Sequence, residues 1–187
     1  MPGRQPVSVQ GTVTPSGSIP TSRFVLRPLR PEDVSEAYSR WFDDPEVAPH
    51  ILAARDAHDL SSLRRYVGER AGRDDVLFLG IFTQNGATHV GNIKYEPLNE
   101  HEGFAVMGIL IGDSMWRGRG VAEEVIVASA RWLQAHRGIQ RILLGVDRHH
   151  RAAIAAYEKI GFRAEPSARI ALGEGALRMV WHLGSPA

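Results

Sequence analysis

Ile109-Leu110-Ile111-Gly112-Asp113-Ser114-Met115-Trp116-Arg117-Gly118-Arg119-Gly120-Val121-Ala122 reads as a buried strand that runs through a glycine-rich turn into a helix. Residues 103–111 are almost wholly apolar, as a strand covered on both faces is. Gly118 and Gly120 permit positive φ and let a ligand approach the backbone. The helix that starts at about Gly120 carries Glu123 and Glu124 in its first turn, and His136 and Arg137 in its last. That order complements the helix dipole, and Gly138 suits the position just past its end. N–H groups converging at a helix N-terminus between Arg117 and Arg119 make an anion site, read here as one for a pyrophosphate. The dinucleotide fingerprint is absent, because Gly118-x-Gly120 is followed by Glu123. The Walker pattern is absent too, which sets aside NAD- and ATP-binding folds.

Outward from this stretch, Arg23 to Arg27 alternates as a strand closed by Pro28. Pro31-Glu32-Asp33 opens a helix with Val34, Ala37, Tyr38, Trp41 and Phe42 on its apolar face, ended by Asp43-Asp44-Pro45. A second helix is predicted over 59–71. Strands follow at 76–82 and 89–95, joined by a tight turn at Gln84-Asn85-Gly86, and Pro97-Leu98-Asn99 is read as the next turn. The helix after Gly120 has two adjoining apolar stripes, Val121/Val125/Ala128/Trp132 and Ala122/Ile126/Ser129/Leu133, the face of a helix packed on a sheet. Then come a buried strand at 141–146, an alanine-rich helix at 150–160 stopped by Gly161, a strand from Phe162, a turn at Gly173-Glu174-Gly175 and a last strand at 177–183. The order predicts a single mixed α/β domain over 22–187, with a crossover helix between two parallel central strands. Residues 1–21, rich in Gly, Pro, Ser and Thr, are read as a flexible tail.

The chain has 187 residues, 43% of them apolar, enough for one domain with a full core. With 22 basic and 21 acidic residues the net charge is +1, so no electrostatic pull toward nucleic acid or membrane is expected. There is no cysteine, which excludes disulfides, thiolate metal sites and a cysteine nucleophile and fits a reducing compartment. The eight histidines show no zinc-type pairing, and His149-His150 reads as a loop feature, so no metal is expected. The N-terminus lacks a signal-peptide block and no run approaches a membrane span; a cytoplasmic location is the expectation.

Arg117-x-x-Gly120-x-Ala122 resembles the Gln/Arg-x-x-Gly-x-Gly/Ala pyrophosphate loop of GNAT acetyltransferases. Residues 147–162 are similar to that family's second motif, N-x-x-A-I-x-x-Y-E-K-x-G-F, with Ala153, Ile154, Tyr157, Glu158, Lys159, Gly161 and Phe162 matching. The two motifs stand in the family's order, with a helix and a strand between them. The resemblance extends over 22–183. His89 to Lys94, Gly108 to Asp113 and Trp41-x-x-Asp44-Pro45-Glu46-Val47 look like the branch that acetylates ribosomal-protein N-termini and amino groups of nucleotide-linked sugars.

The resemblance implies an acetyl-CoA-dependent N-acetyltransferase with a mostly antiparallel sheet, splayed between its two parallel central strands and flanked by helices on both faces. The pantetheine arm would lie in the splay and pair with backbone at Ile109, Leu110 and Ile111 like an added strand. The pyrophosphate would take N–H groups from Gly118, Arg119, Gly120, Val121 and Ala122, with Arg117 beside them. His150, a cofactor-contact candidate, fills a slot usually held by asparagine, whose short amide caps the helix and reaches the cofactor; histidine caps less well. Tyr157 matches the tyrosine that protonates the departing thiolate; an apolar contact with Ile154 and Ile160 is its other reading. Related sequences often carry an acid where this chain has Val106, so the general base is open: Glu96, His101 and Glu102 flank the central strand, and an amine of low pKa needs no dedicated base. The acceptor implied is a small-molecule amine, an amino sugar or sugar nucleotide ahead of a protein N-terminus, handled by a monomer or homodimer. A module that binds acyl-CoA without catalysis is the alternative.

Overall fold

The computed structural model describes residues 17–47, 59–166, 170 and 175–184. Most of the stretch read as a tail, and Gly173-Glu174 of the last turn, lie outside them. One eight-stranded sheet organises the described chain: β1 (Ile19–Pro20), β2 (Phe24–Pro28), β3 (Leu77–Thr83), β4 (His89–Asn99), β5 (Phe104–Ile111), β6 (Arg141–Asp147), β7 (Arg163–Ala164) and β8 (Ala176–His182). Their order is β1-β2-β3-β4-β5-β6-β8-β7. β5 and β6 pair in parallel, and every other described pair is antiparallel. The helices are α1 (Glu36–Arg40), α2 (Leu60–Gly68), α3 (Val121–Arg137) and α4 (Arg151–Ile160), and α3 is the crossover between β5 and β6.

Alternation along β5 decides what each face of the sheet buries. Ala105 and Met107 enter a core with Ile93, Tyr95, Ile142, Leu144 and the α3 residues Val121, Val125, Ile126, Ala130 and Leu133. Leu110 faces the other way, into a cluster with Val34, Tyr38, Trp41, Leu63 and Val67 from the first two helices. Ser129, buried within α3, is satisfied by the Val125 carbonyl at 2.6 Å and the Tyr95 hydroxyl at 2.8 Å.

Three sequence readings are revised. Ile19 and Pro20, read as tail, pair with Leu26 and Val25. The helix expected from Pro31 to Phe42 is three short pieces: a 3₁₀ turn at Pro31–Asp33, α1, and a second 3₁₀ turn at Trp41–Asp43. It breaks because the Val34 carbonyl accepts from Arg64 on α2 instead of from a later N–H, and Ser35 then caps a new helix at the Tyr38 N–H. The strand expected to end at Tyr95 continues to Asn99. Pro97 sits in an irregularity of the ladder where no donor is required, after which buried Leu98 pairs with Ala105. The reversal falls instead at Glu100–Gly103, where Gly103 has φ of 66°.

Candidate active site

β5 and β6 pair over three rungs only: Phe104 with Arg141, Ala105 with Ile142 and Val106 with Leu143. Beyond them β5 stays with β4 as far as Ile111 opposite Gly91, and β6 stays with β8 as far as Asp147 opposite Ala176. The two strands therefore part, leaving facing backbone edges able to take an extended ligand as an added strand. Two residues past the last rung each strand carries an exposed glycine, Gly108 and Gly145. By alternation both lie on the face that bears α1 and α2. Gly145 was legible as a glycine inside an apolar strand, a mark of close approach, and the sequence reading passed over it.

At the end of the gap, Ser114–Trp116 forms a 3₁₀ turn capped by the Asp113 carboxylate on the Met115 N–H at 2.9 Å. Gly118 and Gly120 follow with φ of 68° and 72°, both exposed. The first bond of α3 runs from the Glu124 N–H to the Gly120 carbonyl, and no side chain caps the helix. The N–H groups of Gly118, Arg119, Gly120, Val121, Ala122 and Glu123 thus donate to nothing among the described residues. This is the geometry of a phosphate cradle.

The loop is held from outside. Glu124 accepts from the Thr21 hydroxyl at 2.7 Å, the Arg23 N–H at 2.8 Å and the Arg23 guanidinium at 2.7 Å, while Arg23 also donates to the Arg119 carbonyl at 2.9 Å. Burial alone would raise the Glu124 carboxyl, but these donors outweigh it and hold it below the usual range. Arg117, expected beside the pyrophosphate, is engaged within the chain. Its guanidinium donates to the carbonyls of Ile111 (2.9 Å) and Gly112 (2.7 Å) and to the carboxylates of Asp44 (2.8 Å) and Glu46 (3.0 Å). It is a strut between the loop and the segment after α1. Arg119 is exposed, and its guanidinium pairs with nothing among the described residues.

Tyr157 lies on α4, with Ile109 and Ile111, against the core that α3 covers, its ring centroid 5.7 Å from that of Phe162. The Glu123–Lys159 pair, at 2.6 Å, fixes α4 beside the first turn of α3. Burial pushes the Tyr157 hydroxyl up to about 12, so the phenol keeps its proton at neutral pH. His150 is the N-cap residue of α4 without capping it through its side chain; the Asp147 carboxylate accepts the His149 N–H at 2.8 Å instead.

The expected bases fare differently. Glu102 is exposed in the β4–β5 reversal, bonded to Asn99, at the opposite end of β5 from the loop, and His101 is exposed beside it; the structure brings neither to the gap. Glu96 lies in the ladder irregularity across from Val106. Its carboxylate accepts from Lys94 at 2.7 Å, Arg70 at 2.9 Å and Arg73 at 3.0 Å. Burial would raise it, but Lys94 and Arg70 prevail and hold it below the ordinary carboxylate range. A carboxylate so stabilised is a poor proton acceptor. Among the described residues no group of three or more acidic or histidine side chains is placed to hold a metal, and no helix is long and apolar enough to cross a membrane.

Comparison with known proteins agrees with this geometry. The profile of the Acetyltransferase (GNAT) domain matches residues 23–163, and the chain belongs to that family, whose members use acetyl-CoA. It is 29% identical over 152 residues to mycothiol acetyltransferase of Salinispora arenicola (strain CNS-205), covering 76% of this chain and 49% of that protein. The chain therefore spans about half the length of that relative. Among solved structures, RimL, a ribosomal L7/L12 alpha-N-protein acetyltransferase in complex with coenzyme A, superposes with a TM-score of 0.77 at 15% identity, covering 90% of this chain and 99% of that one. A GNAT-family acetyltransferase from Bacillus anthracis superposes at 0.73 with 18% identity, covering 88% and 98%.

Proposed function

We propose that this protein transfers the acetyl group of acetyl-CoA directly to a primary amine, with an amino sugar or sugar nucleotide favoured as acceptor over a protein N-terminus. The observation that carries the reading is the parting of β5 from β6 after Val106 and Leu143, which ends beside a turn of six undirected N–H groups. An extended pantetheine arm fits the first and a pyrophosphate fits the second. Thioester carbon supplies the electrophile. The chain's part is to align it, to offer backbone N–H groups along β5 to the developing oxyanion, and to return a proton to the thiolate. Tyr157 is the proposed donor: a phenol held near 12 is protonated at every working pH and can still give its proton to a thiolate as that charge develops. With Val106 apolar and Glu96 neutralised, the amine is read as reacting from its unprotonated fraction, without a dedicated base.

Tyr157→Phe tests the assignment. It keeps the ring, and with it the packing on Phe162, so acetyl-CoA affinity by calorimetry and melting temperature stay unchanged. Turnover falls on the order of 10²–10⁴, the range for losing a positioned general acid. The pH profile gives a second reading. kcat/KM rises with pH through the acceptor's own amine pKa, moves when the acceptor is changed, and shows no basic limb below about pH 10. Full turnover in the mutant would leave Tyr157 a packing residue, and acetyl-CoA binding without transfer to any amine would favour the non-catalytic module.

A further inference from the structure

The opening at Gly108 and Gly145 is bordered, on the α1–α2 face, by a cluster of paired charges that starts at Lys94. Gly108 lies in register with Lys94 on β4, so the two share a face, and a Cβ built on Gly108 would meet nothing within 4 Å. Lys94 donates to the Tyr66 hydroxyl at 2.5 Å and to Glu96 at 2.7 Å. Arg70 stacks on the Tyr66 ring at 3.6 Å and Arg73 closes the cluster between Glu96 and Asp75. Three cations thus meet two carboxylates, an excess of one positive charge. Donors also remain to be used. An ammonium has three N–H groups, and Lys94 spends two here; Tyr66 accepts from Lys94 and keeps its own O–H to give. One N–H and one O–H, side by side at the rim of an open floor, fit an oxyanion and repel a second ammonium.

We propose that the acceptor carries, close to its amine, an anionic group, a carboxylate or a phosphate ester, which Lys94 and Tyr66 receive. The inference rests on the acetyl-transfer reading and narrows its substrate class. Diamines and polyamines, which present further positive charge, are disfavoured at this rim. Lys94 here selects the acceptor and takes no part in the bond changes. Directly opposed residues of paired strands lie about 5 Å apart at Cβ, so its ammonium reaches a group one or two bonds beyond an amine seated over Gly108.

Calorimetric titration of the CoA-saturated protein with N-acetylated products reads the selectivity without requiring turnover. Two pairs separate the sources of the anion: N-acetylglucosamine 6-phosphate against N-acetylglucosamine, and an N-acetyl amino acid against its amide. The anion-bearing member of at least one pair binds at least roughly tenfold more tightly, as a hydrogen bond to a charged group provides. Lys94→Met, which keeps most of the stem, brings that ratio to within about twofold and flattens its salt dependence. Tyr66→Phe lowers the ratio in part while leaving the Arg70 stacking. Failure of both anions to outbind their neutral counterparts, or an unchanged ratio in Lys94→Met of native melting temperature, overturns the proposal. The matching amines are then assayed for thiol release. Transfer without charge preference refutes the anion site alone, whereas selective binding without transfer refutes the acetyl-transfer reading and leaves the anion site standing.

Discussion

Arg117 and Arg119 stand two positions apart in one turn and serve opposite purposes. In sequence they are two cations in a glycine turn read as a phosphate loop, and nothing local tells them apart. In space Arg117 turns back onto Ile111, Gly112, Asp44 and Glu46, while Arg119 points to solvent from a carbonyl that Arg23 holds. Arg119→Ala should therefore weaken acetyl-CoA several-fold and reduce the salt dependence of that binding, with the melting temperature unchanged. Arg117→Ala should act chiefly on stability, because the buried Gly112 carbonyl and that of Ile111 each lose a charged donor. A loss of about 1–2 kcal/mol in urea unfolding is expected. If Arg117→Ala alone abolishes acetyl-CoA binding in a protein of native stability, the guanidinium is a phosphate ligand after all. Tyr157 was legible from its motif, but its raised pKa was not, since that comes from residues distant in sequence.

At the scale of elements, local signals were strongest where a glycine had to adopt a left-handed conformation. Gly120, Gly138 and Gly161 bound α3 and α4 with φ of 72°, 64° and 123°. They were weakest between Pro31 and Pro45, where acceptable helical periodicity was overridden by the Arg64 contact to Val34. The same segment carries Trp41 onto the end of β5. A Cβ built on Gly112 would come within 1.9 Å of the Trp41 ring, so this glycine is required by a neighbour and not by its own dihedrals. Gly112→Ala should cost about 1–3 kcal/mol, the range for overpacking, through displacement of Trp41. Gly108→Ala, two residues past the last β5–β6 rung and open above, should leave stability within about 0.5 kcal/mol. Equal urea midpoints for the two variants would show that Trp41 has room to move.

Over the whole molecule, His89 joins the sheet to the α1 side. Its ring stacks on Phe82 at 4.5 Å and 15°, and approaches Tyr38 at 5.7 Å and Trp41 at 5.0 Å. Burial takes its pKa down from 6.5 to about 4, against smaller opposing pulls from the Gly91 backbone and then Asp33, and with a small push from Arg27 in the same direction. The unfolded chain therefore binds this proton first. Stability should fall as pH drops from 6.5 to about 4, by something on the order of 3 kcal/mol, with no further loss from this group below that. His89→Phe keeps a stacking ring and should remove that part of the decline while the carboxylates contribute unchanged. Superimposable stability curves across this window would show that His89 charges freely in the folded protein. The sequence by itself determined the mixed α/β order, the crossover helix and the glycine turn that opens α3, because periodicity, caps and glycines act over a few residues. Only the tertiary structure decided which arginine is free, that Glu96 is surrounded by cations, and that Gly108 and Gly145 open the same floor. Those depend on strand register and on side chains meeting across the sheet, and register is set by burial of the whole core.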